Sequence, residues 1–242
     1  MSLTAARGPL GLDPAGILSP KVPAGGIVYI EPHPRRIQAT IGGTTVIDTE
    51  SAVLVHRAGR PLAYAFPADA IGDLPRSPEP EAPGYVQVPW DAVEAWFEEG
   101  RRLVHYPPNP YHRVDCRPTR RRLRVEVAGT CLVDTDETII LFETSLEPRL
   151  YVERSRVRTD LLRRSPTSSY CNYKGHATYW SVEIGSTVVE DVAWSYDDPL
   201  PESQPIAGCI SFYAAKVALT AQLPHVVPPS WGQRRATTPS TR

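Results

Sequence analysis

Apolar and polar residues alternate along two separate stretches of the chain. Ile37, Ala39 and Ile41 fall on one side of an extended segment, with Gln38 and Thr40 between them, and Leu123, Val125 and Val127 do the same further on. A period of two predicts a half-buried strand in each place. Each stretch runs into a turn pair, Gly42-Gly43 and Ala128-Gly129, which predicts a hairpin. A third strand is predicted over residues 52–55 and, in the second stretch, over 138–142. The run Ile139-Ile140-Leu141-Phe142 is apolar on both faces, which predicts a covered, central strand. Further on, strands are predicted over 177–184 and 188–196, joined at Gly185-Ser186. Residues 206–219 form a last strand, and periodicity leaves open whether it ends in a short helix. The spacing changes once, in D-A-V-E-A-W-F-E-E-G-R-R-L. Ala92, Val93, Trp96 and Phe97 make an apolar stripe, Asp91 can cap its start and Gly100 can end it, so a helix is predicted over 90–101.

The two alternating stretches belong to a longer repeat. R-R-I-Q-A-T-I-G-G-T-T-V-I-D-T-E-S-A-V-L-V, from Arg35, matches R-R-L-R-V-E-V-A-G-T-C-L-V-D-T-D-E-T-I-I-L, from Arg121, at Arg-Arg, Gly-Thr, Asp-Thr and the apolar positions. With a one-residue shift, Tyr64 aligns with Tyr151 and Leu62 with Arg149, while Arg57 aligns with Glu143. The expected organisation is a flexible segment 1–26 and a first, degenerate β repeat 27–118. A second, complete repeat 119–223 and a disordered tail 224–242 follow. The segment 75–89 is Pro-rich and reads as a linker.

Bulk properties narrow the function classes. Of 242 residues, 41% are apolar and 22% charged, and the net charge is −1. Such a balance gives no electrostatic footprint for nucleic acid or an anionic membrane. The four cysteines form no C-x-x-C pair, so no thiolate zinc site is expected. The first residues lack the continuous apolar core of a signal peptide, and the expected location is the cytoplasm, where thiols stay reduced.

Several residues carry candidate chemistry. Asp134 and Asp136 form a D-x-D that would suit magnesium. They precede a strand where Asp and Thr favour a turn, and Asp48 and Glu50 occupy the same place in the first repeat, so the turn reading is preferred. Glu143 closes a strand that should be buried, and an unpaired carboxylate there is costly. Arg149, beyond a turn, is the expected partner; the pair is either structural or a grip for an anionic substrate. The segment S-Y-C-N-Y-K-G-H-A-T-Y-W-S-V has no counterpart in the first repeat. There Cys171 is a candidate nucleophile beside Lys174, with His176 as its base, although burial as a small hydrophobe is the preferred reading. Gly175 suggests either a special backbone angle that presents Lys174 to an anion or a plain β-turn with a solvated lysine. Trp180, Val182 and Ile184 share the face expected in the core, and Tyr179 shares the other face with Ser181. Glu190 and Asp191 are adjacent acids; a β-bulge would explain them and aim Asp191 inward, toward Lys174 or Arg149.

The stretches Y-C-N-Y-K-G-H-A-T-Y-W-S-V, V-E-D-V-A-W-S-Y and I-A-G-C-I-S-F-Y, taken in order, resemble the domain of unknown function 427 family. P-Y-H-R-V-D and L-F-E-T-S-L-E-P-R-L-Y look like its longer, two-copy bacterial members. The resemblance spans most of residues 35–217. It implies a compact β-rich fold, similar in shape to tent-like zinc-binding domains but without their cysteine pairs, and it carries a nucleotidyltransferase label. That label receives little weight, because no Gly-Ser precedes the D-x-D and no Gly-rich phosphate loop is present. Asn172 stands where the family usually has proline.

The expected fold is therefore mainly β: two related tent-like antiparallel units packed together, with one helix and no zinc. The expected function is a small-molecule enzyme acting on an anionic or carboxylate substrate, without cofactor or metal. Its pocket would be lined by Tyr151, Tyr173, Tyr179, Trp194, Tyr196 and Cys171. Glu143 or Asp191 would act as acid or base, and Arg149 and Lys174 would hold the substrate. No nucleic-acid or membrane partner is expected, and a homodimer is compatible with the sequence. The rivals are a non-catalytic module with an aromatic cage and an assembly protein without a pocket.

Overall fold

The computed structural model describes residues 3–4, 8–12, 14, 16 and 18–224. The expected disordered tail lies outside the described residues from 225 onward, as do parts of the N-terminal segment. The chain divides into two compact units, built on Met1–Arg102 and Leu103–Leu223. The division precedes residue 118 because the segment after 113 pairs with the second unit.

The first unit contains β1 (Val28–Pro32), β2 (Ile37–Ile41), β3 (Thr44–Thr49), β4 (Val53–Arg57), β5 (Ala63–Pro67), β6 (Ser77–Pro78), β7 (Tyr85–Gln87) and β8 (Ala95–Glu98), with β9 (Arg101–Leu103) at the division. They form two sheets, ordered β1-β4-β5-β7-β6 and β3-β2-β8-β9. The second unit contains β10 (Val114–Thr119), β11 (Leu123–Val127), β12 (Thr130–Thr135), β13 (Thr138–Glu143), β14 (Arg149–Tyr151), β15 (Leu162–Cys171), β16 (Gly175–Ile184), β17 (Thr187–Ser195), β18 (Ile210–Phe212) and β19 (Ala218–Ala221). Its sheets are β10-β13-β14, β12-β11-β19 and β15-β16-β17-β18. Among the described residues the strand pairs with a continuous register are antiparallel, and the fold is mainly β, as the alternation predicts.

The same pairing registers occur in both units. Val28 faces Arg57 in β1–β4, and Val114 faces Glu143 in β10–β13. Ile37 faces Thr49 and Leu123 faces Thr135 in the two hairpins, each with a bulge, after Ala39 and after Val125. Gly42-Gly43 and Ala128-Gly129 all take positive φ, the geometry of a two-residue hairpin turn. Leu54 faces Tyr64, and Ile140 faces Leu150. This last register corrects the shifted alignment. The loops that join β4 to β5 and β13 to β14 have equal length, so Leu150 corresponds to Tyr64, and Arg149 to Ala63. The shift came from matching Leu and Tyr as letters rather than as places on a strand. The second unit departs by inserting the long strands β15, β16 and β17 between β14 and β18.

Two element expectations are corrected. Residues 90–101 are not a helix: a 3-10 turn at Trp90–Ala92 leads into β8, then a turn at Glu99-Gly100, both at positive φ, into β9. Trp96 and Glu98 are buried while Ala95 and Phe97 are half-buried, a period of two. The free edge of β2 supplies the ladder partners, and Trp96 stacks between Phe66 and Trp90 at 5.9 and 5.2 Å. Tertiary pairing overrides a marginal helical stripe here. Among the described residues the helical segments are 3-10 turns of three to six residues. Residues 206–219 are likewise two strands, β18 and the start of β19; β19 leaves to pair with β11. β13 is central as expected, but Phe142 at its end is 39% exposed.

The main core of the second unit joins Leu123, Val125, Leu132 and Val133 to Val152, Val182, Val192, Ile210 and Phe212. A side chain of this size, fully buried, contributes about 1.5–3 kcal/mol. A second cluster, around Leu141, Tyr151, Trp194, Tyr196 and Ile206, carries the aromatic residues singled out above. Among the described residues no helix is long and apolar enough to cross a membrane.

Candidate functional site

Glu143 ends β13 with its side chain only 7% exposed. Two groups reach its carboxylate. Lys174 Nζ donates to Oε2 at 2.5 Å, and His112 Nε2 lies 3.1 Å from Oε1. Burial pushes the carboxyl up, but the His112 hydrogen bond and the Lys174 charge outweigh it, and the net shift is downward. Glu143 is therefore ionised at neutral pH. An ionised carboxylate only accepts, so His112 Nε2 carries the proton that faces it. His112 Nδ1 is buried and has no hydrogen-bond partner among the described residues.

Local structure explains how these groups meet. β15 and β16 close a tight turn in which the Lys174 N–H donates to the Cys171 carbonyl. Gly175 follows at φ +91°, a conformation that L side chains rarely adopt, and the Lys174 carbonyl accepts from the Leu200 N–H at 3.2 Å. That turn directs Lys174 inward, so it is 8% exposed rather than solvated. His112 lies two residues before β10, whose first paired residue, Val114, faces Glu143. The Tyr173 ring stacks on His112 at 3.6 Å, and its hydroxyl accepts from the Asn109 N–H.

Beside this triad lies a cavity of about 170 Å³, lined by Leu141, Glu143, Arg149, Tyr151, Lys174, Tyr179, Trp194, Tyr196 and Tyr213, with Leu146 and Glu147 from the β13–β14 loop. Arg149 sits over the Trp194 ring at 5.2 Å, and Lys174 lies 6.0 Å from the Tyr196 ring centre. Trp194 Nε1 donates to the Tyr151 hydroxyl at 3.0 Å. Trp194 and Tyr213 approach to 4.3 Å, and Tyr213 stacks with Tyr179 at 6.3 Å. Burial pushes the Tyr151, Tyr196 and Tyr213 hydroxyls well above the usual phenol range, so they remain neutral donors.

The structure thus brings Glu143, Arg149, Tyr151, Lys174, Tyr179, Trp194 and Tyr196 around one hollow. It does not bring Asp191 there. The expected bulge is present, with Asp191 at φ +51° opposite Ser181, but it turns the side chain toward Thr167, at 2.9 Å. Neither Lys174 nor Arg149 is its partner, and Glu190 is taken by Ser181 at 2.6 Å. Arg149 is not the partner of Glu143 either, because the turn between them points it across Trp194. Tyr173 supports His112 instead of lining the cavity. Cys171 ends β15 opposite Gly175, outside the lining, and His176 is exposed against Tyr170. Trp180 is half-buried; its Nε1 donates to Ser195 while Arg154 covers its ring. Sequence reasoning missed His112 and Tyr213. Both fall in stretches that carry the family resemblance, P-Y-H-R-V-D and I-S-F-Y, but only strand pairing places them at the site.

Other features fit a site less well. Asp134 accepts from Arg122 and Arg124 at 2.7–2.8 Å, and Asp48 accepts from Arg36 at 2.6–2.7 Å, so the D-x-D aspartate and its counterpart are cross-strand ion-pair acceptors. A cleft of about 370 Å³ near Pro118 and Tyr151 is larger than the Glu143 cavity. Its Arg120 and Arg156 are both spent on the exposed Glu137, so no buried charge converges there. No curated protein matches the chain. Residues 115–222 match the model of a family described as a domain of unknown function, DUF427, which spans the strands that build the cavity. The matched residues all lie within the second unit, which is thus similar to the DUF427 domain.

Proposed function

We propose that the second unit is a small-molecule enzyme whose substrate carries a carboxylate or a similar small anionic group. The observation that supports this reading is the buried Lys174–Glu143–His112 triad at the wall of an aromatic cavity. Burying three ionisable groups is expensive, and a hydrophobic packing of the same volume would stabilise the unit as well or better. Ionised groups placed beside a hollow are typical of functional sites. Arg149 and the Lys174 ammonium hold the anion; Glu143, ionised, accepts a proton rather than giving one; His112 orients it. The neutral Tyr151, Tyr196 and Tyr213 hydroxyls supply hydrogen bonds, and the Trp194 ring supports Arg149.

The cavity is smaller than the ~300–1,000 Å³ typical of ligand pockets, which favours a compact organic acid over a nucleoside triphosphate. A non-catalytic aromatic cage is the second reading, favoured by the cluster of Tyr179, Trp194 and Tyr213. Against it, Arg149 already occupies the ring face of Trp194 that an external cation would need. We also read the two units as diverged copies of one ancestral unit, on their common registers. The four free cysteines suit a reducing compartment, the cytoplasm.

The test is a thermal-shift series with small mono- and dicarboxylates on wild type and Arg149→Ala, since a ligand bound only by the native state raises the melting point. Binding predicts a concentration-dependent rise in wild type that Arg149→Ala lacks. If no acid shifts wild type, or the variant responds equally, the reading fails. Product formation from a stabilising acid, followed by NMR, then separates enzyme from binding module.

A further inference from the structure

The hollow beside Glu143 has a counterpart in the first unit. A cleft of about 470 Å³ is lined by Val55, Arg57, Arg60, Leu62, Ala63 and Glu79, among others. The strand registers place Val55, Arg57 and Ala63 where the second unit has Leu141, Glu143 and Arg149. The charge at the strand end is reversed, and so is that of its partner. Arg57 donates to Glu79 at 2.7 Å; the Glu79 side chain is 0% exposed. Gln87 Nε2 closes on the other Glu79 oxygen. This inner pair fixes the orientation of the guanidinium.

A second carboxylate lies on the same guanidinium. Glu81 accepts from Arg57 through both oxygens, at 3.3 and 3.0 Å. Unlike Glu79, it is 46% exposed, and it sits between Pro80 and Pro83 on a surface loop. Exposed pairs of this kind are weak because water competes for both partners. Arg60, three residues on and exposed, is tied to Arg57 by a backbone turn and lines the same cleft. The cleft thus presents two guanidiniums, one fixed and already holding a half-exposed carboxylate, above aliphatic walls without an aromatic wall.

We infer that this cleft is a second ligand site, for an aliphatic organic acid with more than one carboxylate, which Arg57 and Arg60 hold and for which Glu81 stands in. Bidentate recognition of a carboxylate is what a guanidinium does best. The volume falls within the usual range for small-molecule sites. The inference is independent of the reading given to the Glu143 cavity, because no residue is shared.

The experiment is a citrate titration of the isotope-labelled full chain, followed by backbone amide NMR, with sodium chloride at matched ionic strength as control. The variants are Glu81→Gln, Arg60→Ala and Arg149→Ala, all at exposed positions. Saturable shifts are expected at amides 55–63 and 77–87. Glu81→Gln should tighten binding at least ~3-fold by removing the internal competitor, Arg60→Ala should weaken it by a similar factor, and Arg149→Ala should leave it unchanged. Shifts confined to amides 141–151 and 174–196 would report the other cavity and overturn the inference. It is also overturned if chloride reproduces the shifts, or if Glu81→Gln binds no more tightly than wild type.

Discussion

Arg57 and Glu143 stand at the same place in the two units, at the end of equivalent strands, with opposite charges. Each finds its partner in a segment that arrives later: Glu79 in the β6–β7 loop and Lys174 in the β15–β16 turn. The position tolerates either sign as long as the partner changes with it, because an ion there without its opposite would be left desolvated. The first unit also holds a buried glutamate of its own. Glu98 is met by His33 at 3.0 Å, by Tyr64 at 2.7 Å and by Arg35. There the Tyr64 ring packs against Phe66 and Trp96, and His33, Tyr64 and Arg35 all converge on the one carboxylate. Glu143 has a similar histidine and cation but opens onto a cavity. A buried carboxylate is therefore not in itself a sign of chemistry; the adjoining space and the unspent donors of Lys174 make the difference.

The sharpest way to break this comparison is to strand one ion. Lys174→Met leaves Glu143 buried without its cation and should cost about 3–5 kcal/mol in urea denaturation of the second unit. Adding Glu143→Gln should recover much of it; a double variant as unstable as the single one contradicts the pairing. Arg57→Met should cost less, since solvent reaches that guanidinium and can partly rehydrate the site.

Acid separates the two glutamates next. Burial raises the Glu98 carboxyl, but the donors His33, Tyr64 and Arg35 more than offset it and hold it at about 2. A depressed pKa contributes stability that is complete above the unfolded value, near 4.5, and is lost as pH falls through about 2. The shift corresponds to roughly 3 kcal/mol. Glu143 is depressed in the same direction, so its contribution is likewise lost as the pH falls below the usual carboxylate range. Denaturation midpoints between pH 6 and pH 2 measure both, and a flat profile contradicts them.

A smaller effect isolates one hydrogen bond. Tyr64→Phe keeps the ring and removes a donor from Glu98, and should cost about 1.5–3 kcal/mol. It should also raise the Glu98 pKa, moving the acid transition upward, whereas Tyr151→Phe should leave that transition in place. At the bottom of the scale, Asp48→Ala and Asp134→Ala remove exposed pairs. Both should leave the urea midpoint within experimental error, and magnesium should shift the melting point of neither wild type nor variant.

The two matching hairpins were legible because alternation and turn chemistry are local. Ile37, Ala39 and Gly42-Gly43 announce their hairpin, as do Leu123, Val125 and Ala128-Gly129. The aromatic and charged residues that end up around the cavity also stood out, because Glu143 closes an apolar strand and the 169–182 segment has no counterpart in the first repeat. What failed was anything that depends on a partner far along the chain. The 90–101 stripe reads as helix until β2 offers an edge to pair with. Arg149 looks like the neighbour of Glu143 until the turn sends it over Trp194. His112 looks like one more loop residue until β10 docks on β13.

The sequence by itself determined where the hairpins β2–β3, β11–β12 and β16–β17 form, because side-chain period and positive-φ turns are properties of a few adjacent residues. It also singled out most of the aromatic residues that surround the hollow of the second unit. Only the tertiary structure decided which ion faces which, that Asp191 turns away to Thr167, and that Lys174 is buried on Glu143 while His112 completes the triad. Those outcomes rest on registers between strands separated by tens of residues. A register of that kind is chosen by the packing of a whole face, which no local stretch specifies.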